Sequence, residues 1–415
     1  MKCHLIGIGG VGMSALATAL LRQGHVVTGA DRTLGTPNIR FLESLGVKVF
    51  PDDGSGVDAT TDEVVISTAI EETNAGLRKA AELGIPVTHR AKALARALAG
   101  YKLVAVVGTC GKSTVTAMLG HVLVECGLDP MCVNGANVPG WEGAVRFGRG
   151  AYAVAEVDES DKSLVAFSPY AAVVTNASAD HYSKEEMDEV FDAFVKDCEG
   201  PVIDGRGNLE PLAGLEKMEV PLPGAHNRQN AEMAVRMAVA LGIEPARAVA
   251  AMKTFGGVER RLQLITPADK PSDVQAFEQS PAVYDDYAHN PEKIRAMWLT
   301  LAEKYPKGIC VIWRPHGYGP LRKLKEGLAD MFKATIRPQD RLLLLPVYDA
   351  GGTANRGICS ADLAKLLPCE KVILIDSLDA AYTWCLLHRV EFGAFVTCGA
   401  RDPGLPVLAR RLSEI

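Results

Sequence analysis

The sequence predicts an α/β protein of three consecutive sheet-and-helix units, and three observations carry that prediction. Short apolar stretches alternate with helically spaced ones along the whole chain, the pattern of parallel sheets crossed by helices. Two glycine-rich turns, Gly7-Ile8-Gly9-Gly10-Val11-Gly12 and Gly108-Thr109-Cys110-Gly111-Lys112-Ser113, each stand between a strand and a helix. At 415 residues the chain has room for roughly two to four domains.

The first unit, residues 1–99, carries strands at His4–Ile8, Val26–Ala30, Val47–Phe50, Val64–Ser67 and Pro86–His89. Helical spacing over Met13–Arg22, Asn38–Leu45 and Asn74–Leu83 completes a small Rossmann-like unit. Gly100-Tyr101-Lys102 then leads into the apolar run Leu103–Val107, which places a boundary near 100. The central unit, 100–267, continues with a helix from Ser113 to Val124 and strands Ala151–Glu156 and Ala171–Thr175. Its helices cover Lys184–Lys196, Asn227–Leu241 and Glu244–Thr254. Residues 266–273 are rich in turn formers and mark the next joint. From 268 to 415 strands return at Val283–Asp285, Ile309–Trp313, Arg341–Leu345, Val372–Ile375 and Ala394–Thr397, a second Rossmann-like α/β unit.

Composition narrows the function. The balance of 44 basic against 50 acidic residues, net −6, argues against a nucleic-acid binder. No uncharged apolar run reaches the roughly 18 residues of a membrane span, and the first residues carry no cleavage-site pattern, so a cytoplasmic protein is expected. The ten cysteines form no Cys-x-x-Cys pair, which favours reduced thiols over a disulfide framework or zinc site.

The chemistry sits at strand ends. Gly7-x-Gly9-x-x-Gly12 follows a strand, and Asp31 stands 19 residues beyond Gly12 at the end of the next one. This is the dinucleotide fingerprint, with pyrophosphate on the helix N-terminus and an acid near a ribose. A UDP-sugar satisfies the same physics, so an NAD-linked dehydrogenase and a UDP-sugar protein both stay open here. The second turn reads as a phosphate loop: Lys112 can neutralise β/γ-phosphates and Ser113 can hold magnesium. Val106 stands where the strict pattern has its first glycine. Glu156 and the acidic stretch to Asp161 end a neighbouring strand, and His181 follows the next. Open α/β sheets bind ligands at that carboxyl edge.

Together these segments resemble the Mur ligases, ATP-dependent amide-forming enzymes of peptidoglycan precursor synthesis. They are most similar to the branch that couples L-alanine to UDP-N-acetylmuramate. The resemblance runs from His4–Ser14 through Val65–Ile70 with Asn74, His89-Arg90-Ala91, Gly108–Thr114, Glu156–Asp161, Asp180-His181, His226-Asn227 with Asn230, and Arg260-Arg261. It ends with Asp285–Pro291 and Arg314–Tyr318.

The resemblance implies roles. Gly9, Gly10, Val11, Gly12, Asp31, Ser67, Asn74 and Arg90 would bind UDP-N-acetylmuramate. Gly108, Thr109, Gly111, Lys112, Ser113 and Thr114 would cradle the ATP phosphates. Ser113, Glu156 and His181 would hold magnesium, His181 on a second ion. His226, Asn227, Asn230, Asp286 and His289 would surround the adenosine, with Arg260 near the γ-phosphate and His316 beside the incoming amino acid. A monomer or weak homodimer without nucleic acid or membrane partners is expected.

Departures from the family pattern cluster in a few places. Cys110 and Val115 replace a histidine and a threonine around Lys112, and Tyr182-Ser183-Lys184 compresses an acidic–x–Tyr stretch. Gly317 and Pro320 stand where the pattern has arginines, and Gly352 where it has glutamate. A ligase taking another amino acid or a peptide, and a catalytically reduced UDP-sugar or ATP sensor, are the alternatives these departures raise.

Overall fold

A computed structural model describes residues 1–158, 163–177, 184–265, 280–349 and 355–415. The α/β class is as expected, with three separate sheets.

The first sheet is parallel throughout, in the order β3-β2-β1-β4-β5. Its elements run β1 (Lys2–Ile6), α1 (Val11–Arg22), β2 (Val26–Asp31), α2 (Pro37–Ser44), β3 (Lys48–Pro51), β4 (Glu63–Ile66), α3 (Ala75–Glu82), β5 (Val87–His89) and α4 (Arg90–Leu98). β1 ends earlier than the apolar pattern suggests because Gly7 takes φ +76° and turns the chain, a conformation glycine adopts without steric cost. α2 starts on Thr36, whose side chain caps Ile39 N–H, followed by Pro37 at its first turn.

The second sheet has the order β11-β10-β6-β9-β7-β8. It comprises β6 (Lys102–Val107), α5 (Lys112–Glu125), β7 (Met131–Val133), β8 (Val145–Arg146), β9 (Tyr152–Glu156), β10 (Ala171–Val174), α6 (Lys184–Val195) and β11 (Val202–Asp204). β6 is central and fully buried after Lys102, as a strand covered on both faces must be. α7 (Ala225–Ala240) and α8 (Pro245–Met252) follow.

Tertiary contacts divide the chain into two compact units: residues 1–221 with 227–258, and residues 222–226 with 259–415. The first unit holds both of these sheets. Leu16 and Leu20 of α1 share one apolar core with Met131, Val145 and Phe191, and Arg22 Nε donates to Glu142 Oε2 at 2.8 Å.

The second unit holds the third sheet, in the order β12-β13-β17-β14-β15-β16. Its elements are β12 (Gln263–Ile265), β13 (Ala282–Asp286), α9 (Pro291–Lys304), β14 (Ile309–Trp313), α10 (Tyr318–Thr335), β15 (Arg341–Leu344), α11 (Ser360–Ala364), β16 (Val372–Leu374), α12 (Leu378–Leu387), β17 (Ala394–Cys398) and α13 (Gly404–Ser413). Only β12 runs antiparallel. Trp298, Trp313 and Phe332 pack edge to face in its core. Among the described residues, no helix is long and apolar enough to cross a membrane.

Candidate functional site

Each sheet presents its chemistry at the carboxyl edge. On the first sheet, the turn Gly7–Gly12 leads into α1, with Gly10 as its cap residue. Asp31, at the end of β2, accepts Gly9 N–H at 2.9 Å and Thr33 N–H at 3.0 Å. Asn38 Nδ2 donates to Gly9 O at 2.9 Å. The acid expected near a ribose therefore also shapes the turn from within. A methyl group on Gly9 would stand 3.0 Å from Asp31 Oδ2, and one on Gly12 would stand 2.8 Å from Arg90 Nη1. Gly12 thus lets a guanidinium lie over the N-terminus of α1, where an anion is also favoured by the helix dipole. Ile70, from the Ser67 loop, packs against Gly7. Asn74 caps α3 through Gly76 N–H at 2.8 Å and donates to Asp52 at 2.8 Å.

On the second sheet, the phosphate turn joins β6 to α5. Gly111 is left-handed at φ +84°, and Lys112 Nζ donates to Gly108 O at 2.6 Å. Ser113 and Thr114 are buried in the first turn of α5. A Cβ on Gly111 would meet Asn230 Oδ1 at 2.6 Å, so Asn230 of α7 backs the turn. Pairing of β6 with β9 sets Glu156 opposite Val106, beside that turn. Glu156 Oε2 accepts Gly135 N–H at 2.8 Å, and only glycine fits at 135, where a Cβ would lie 2.4 Å from that oxygen. Carboxylate and hydroxyl oxygens here suit a hard divalent cation. His181 lies outside the described residues, and among those described no cluster of three His, Cys, Asp or Glu side chains forms.

On the third sheet, Arg260 Nε donates to Asp285 Oδ2 at 2.9 Å and Nη2 to Gly399 O at 2.5 Å. Asp285 is fully enclosed, and burial raises its carboxyl above the usual range against the pull of Arg260. Asp286 accepts Leu262 N–H at 2.6 Å and Ala288 N–H at 2.7 Å; burial pushes its carboxyl up to about 6. Its bonds hold backbone in place at the strand end. His289 and His316 meet edge to face with centroids 4.8 Å apart, and Tyr287 lies 5.6 Å from His289. Arg260 and Arg261 both stand over the Tyr287 ring. His226, in the same unit, is pushed below the usual histidine range by burial.

Among the described residues, the expected positions whose contacts are given above lie at three sheet edges, two in the first unit and one in the second. Asn227 and Asn230 belong to the first unit and His226 to the second. Sequence reasoning passed over Asn38, Gly135, Asn176 and Tyr287 as site builders. The best available signal was position: Asn176 lies two residues beyond the end of a strand that pairs with β6.

Two family models match the chain: "Mur ligase family, catalytic domain" over residues 2–102 and "Mur ligase, glutamate ligase domain" over 273–401. The UDP-N-acetylmuramate–L-alanine ligase of Paenarthrobacter aurescens is 33% identical over 97% of this chain and 94% of its own. The enzyme of the same name from Rubrobacter xylanophilus is 35% identical over 86% and 87%. Among solved structures, the UDP-N-acetylmuramate–alanine ligase of Thermotoga maritima superposes with a TM-score of 0.80 at 24% identity, over 100% of this chain and 98% of that one. A murein peptide ligase from Psychrobacter arcticus gives a TM-score of 0.68 at 20% identity, over 100% and 99%.

Proposed function

This chain belongs to the Mur ligase family, and from that premise we propose an ATP-dependent ligase that joins L-alanine to the carboxylate of UDP-N-acetylmuramate through an acyl phosphate. The observation that carries the reading is the phosphate turn of the second sheet, with Lys112 and the N-terminus of α5 beside Glu156. A positive charge and a row of N–H groups at one sheet edge suit a triphosphate. The first turn, roofed by Arg90, suits the diphosphate of the UDP-sugar.

In this mechanism the sugar carboxylate attacks the γ-phosphorus and ADP leaves with the β–γ bridging oxygen. The amine of the amino acid then attacks the acyl carbon, loses a proton, and expels phosphate. Lys112 offsets charge as it shifts toward the leaving ADP. Magnesium, when bound, would neutralise phosphate charge; Ser113 and Glu156 would hold one ion, and His181, outside the described residues, a second. His226, whose burial disfavours the charged form, offers a hydrogen-bonding ring suited to a base or ribose. The His289–His316 pair borders the place proposed for adenosine and amino acid. The reaction fits a cytoplasmic protein.

The test is phosphate release measured with ATP, UDP-N-acetylmuramate and L-alanine. Release that requires both acceptors, with a product of the mass of the alanyl conjugate, is expected. ATP turnover indifferent to the sugar nucleotide overturns the reading. A second reading, a different amine, is favoured by one observation. The arginines of the family pattern are Gly317 and Pro320, while Arg322 donates to Asn355 O and Arg356 pairs with Asp349. A panel of amino acids and short peptides in the same assay separates the two.

A further inference from the structure

We propose that Asn176 is a positioning residue: its carboxamide sets the shape of the phosphate turn on which nucleotide binding and phosphoryl transfer depend. The inference rests on the ligase reading but concerns a side chain to which that reading gives no role.

Asn176 follows β10, the strand paired with β6 on the side away from Glu156. Its Oδ1 accepts Cys110 N–H at 2.9 Å and the Thr109 hydroxyl at 2.6 Å. Its Nδ2 donates to Cys110 O at 2.9 Å. Both main-chain groups of Cys110 are therefore read by one amide. The amide orientation is dictated by its partners, since flipping it would set NH2 against the Cys110 N–H and oxygen against a carbonyl.

The neighbouring residue adds to the grip. Thr175 Oγ1 donates to Cys110 O at 2.6 Å, and Asn176 O accepts Thr109 N–H at 3.3 Å. Gly108, at φ +129°, lies so close that a Cβ would fall 2.1 Å from Thr175 Oγ1 and 2.9 Å from Asn176 O. Lys112 Nζ in turn holds Gly108 O. The position of the lysine ammonium is thereby tied to the end of β10.

Two consequences follow for the chemistry. Cys110 N–H is committed to Asn176, which leaves anion binding to the N–H groups that open α5. The turn also lacks the first glycine of the strict pattern, Val106 being in its place, so its curvature is set from the neighbouring strand. An external clamp of this kind is a preorganising device: displacing reacting groups by about 1 Å can cost on the order of a hundredfold in rate.

The experiment compares Asn176→Ala and Asn176→Asp with the wild type, in the full chain, by steady-state kinetics in each substrate and by binding of a fluorescent ADP analogue. For Asn176→Ala, kcat/KM for ATP falls about a hundredfold while KM for UDP-N-acetylmuramate stays within about threefold. Asn176→Asp, which turns an oxygen toward Cys110 O, falls at least as far. A double-mutant cycle with Thr109→Val is non-additive, because both side chains act through the same oxygen. An ATP kcat/KM within threefold of wild type overturns the proposal. So does an equal loss in every substrate's KM together with a lowered melting temperature. If the wild type itself releases no ADP with both acceptors, the ligase reading has failed. The clamp is then judged by the fluorescent analogue alone, for which about a tenfold loss of affinity sustains it and an unchanged affinity ends it.

Discussion

Replacing Arg260 with alanine strips the counter-ion from the most enclosed carboxylate of the third sheet. Asp285 has one oxygen on Arg260 Nε at 2.9 Å and the other on the Thr397 hydroxyl at 2.6 Å. Without the guanidinium, a fully buried charge keeps a single hydroxyl donor, and Gly399 O loses its donor as well. Breaking a buried pair from one side costs about 3–5 kcal/mol. The loss depends on pH, and its sign follows from the proton count. Burial already holds the folded carboxyl above 3.8 although Arg260 pulls it down, so removing Arg260 raises it further. A folded state that binds the proton more tightly than the unfolded chain gains stability as pH falls through the folded pKa. The deficit of the variant is therefore smaller at a pH low enough to protonate its buried carboxyl than at pH 7. Urea unfolding followed by tryptophan fluorescence reads the right unit, because Trp298, Trp313 and Trp384 lie in it and Trp141 does not. A midpoint unchanged at pH 7, or a deficit identical at both pH values, refutes the reasoning.

Other expectations are as direct. Asp286, lifted by burial from 3.8 to about 6, opposes folding when charged by about 3 kcal/mol. Wild-type stability relative to Asp286→Asn thus declines as pH rises from about 4 to about 6, as urea midpoints across that window will record. Lys112→Ala abolishes ADP release while calorimetric binding of the UDP-sugar stays within about threefold, because the proposed reading gives the lysine the transferring phosphate and not the sugar nucleotide. Gly135→Ala drives a methyl group into Glu156 Oε2. The displaced carboxylate raises the magnesium needed for half-maximal activity by about tenfold, a magnitude typical of disturbed metal-ligand support, with circular dichroism unchanged.

The fold was legible where apolar runs were long and bounded by glycine. β6, β9, β14 and β17 are buried runs ending at turns, and all were expected. Of the strands two or three residues long, β5 and β16 were expected but β7, β8, β11 and β12 were not, because so short a run carries too little periodicity to distinguish strand from loop by pattern alone. Helix starts were less legible than helix bodies: Glu244 looks like a helical residue but caps α8 through Ala246 and Arg247 N–H. At the sites, glycines and the Lys-Ser pair stand out because a turn demands them. Residues such as Asn74 do not separate so cleanly, since a polar side chain at a strand end serves equally as ligand contact, helix cap or turn brace.

That ambiguity has a common physical origin in the two glycine turns proposed to bind phosphate. A glycine turn binds phosphate through exposed N–H groups, and the same absence of side chains leaves it without means to hold itself. In both sheets the support comes from the end of an adjacent parallel strand: Asp31 of β2 takes Gly9 N–H, and Asn176 beyond β10 takes Cys110 N–H. The two braces differ in charge. The carboxylate of Asp31 braces the turn at Gly9 while the Arg90 guanidinium lies over Gly12, so charges of both signs flank this turn. The neutral amide of Asn176 sets no fixed negative charge against the turn, as a triphosphate carrying more negative charge requires. Exchanging the two braces would therefore harm the second turn more than the first, because a carboxylate at 176 repels the phosphates that an amide at 31 would still admit.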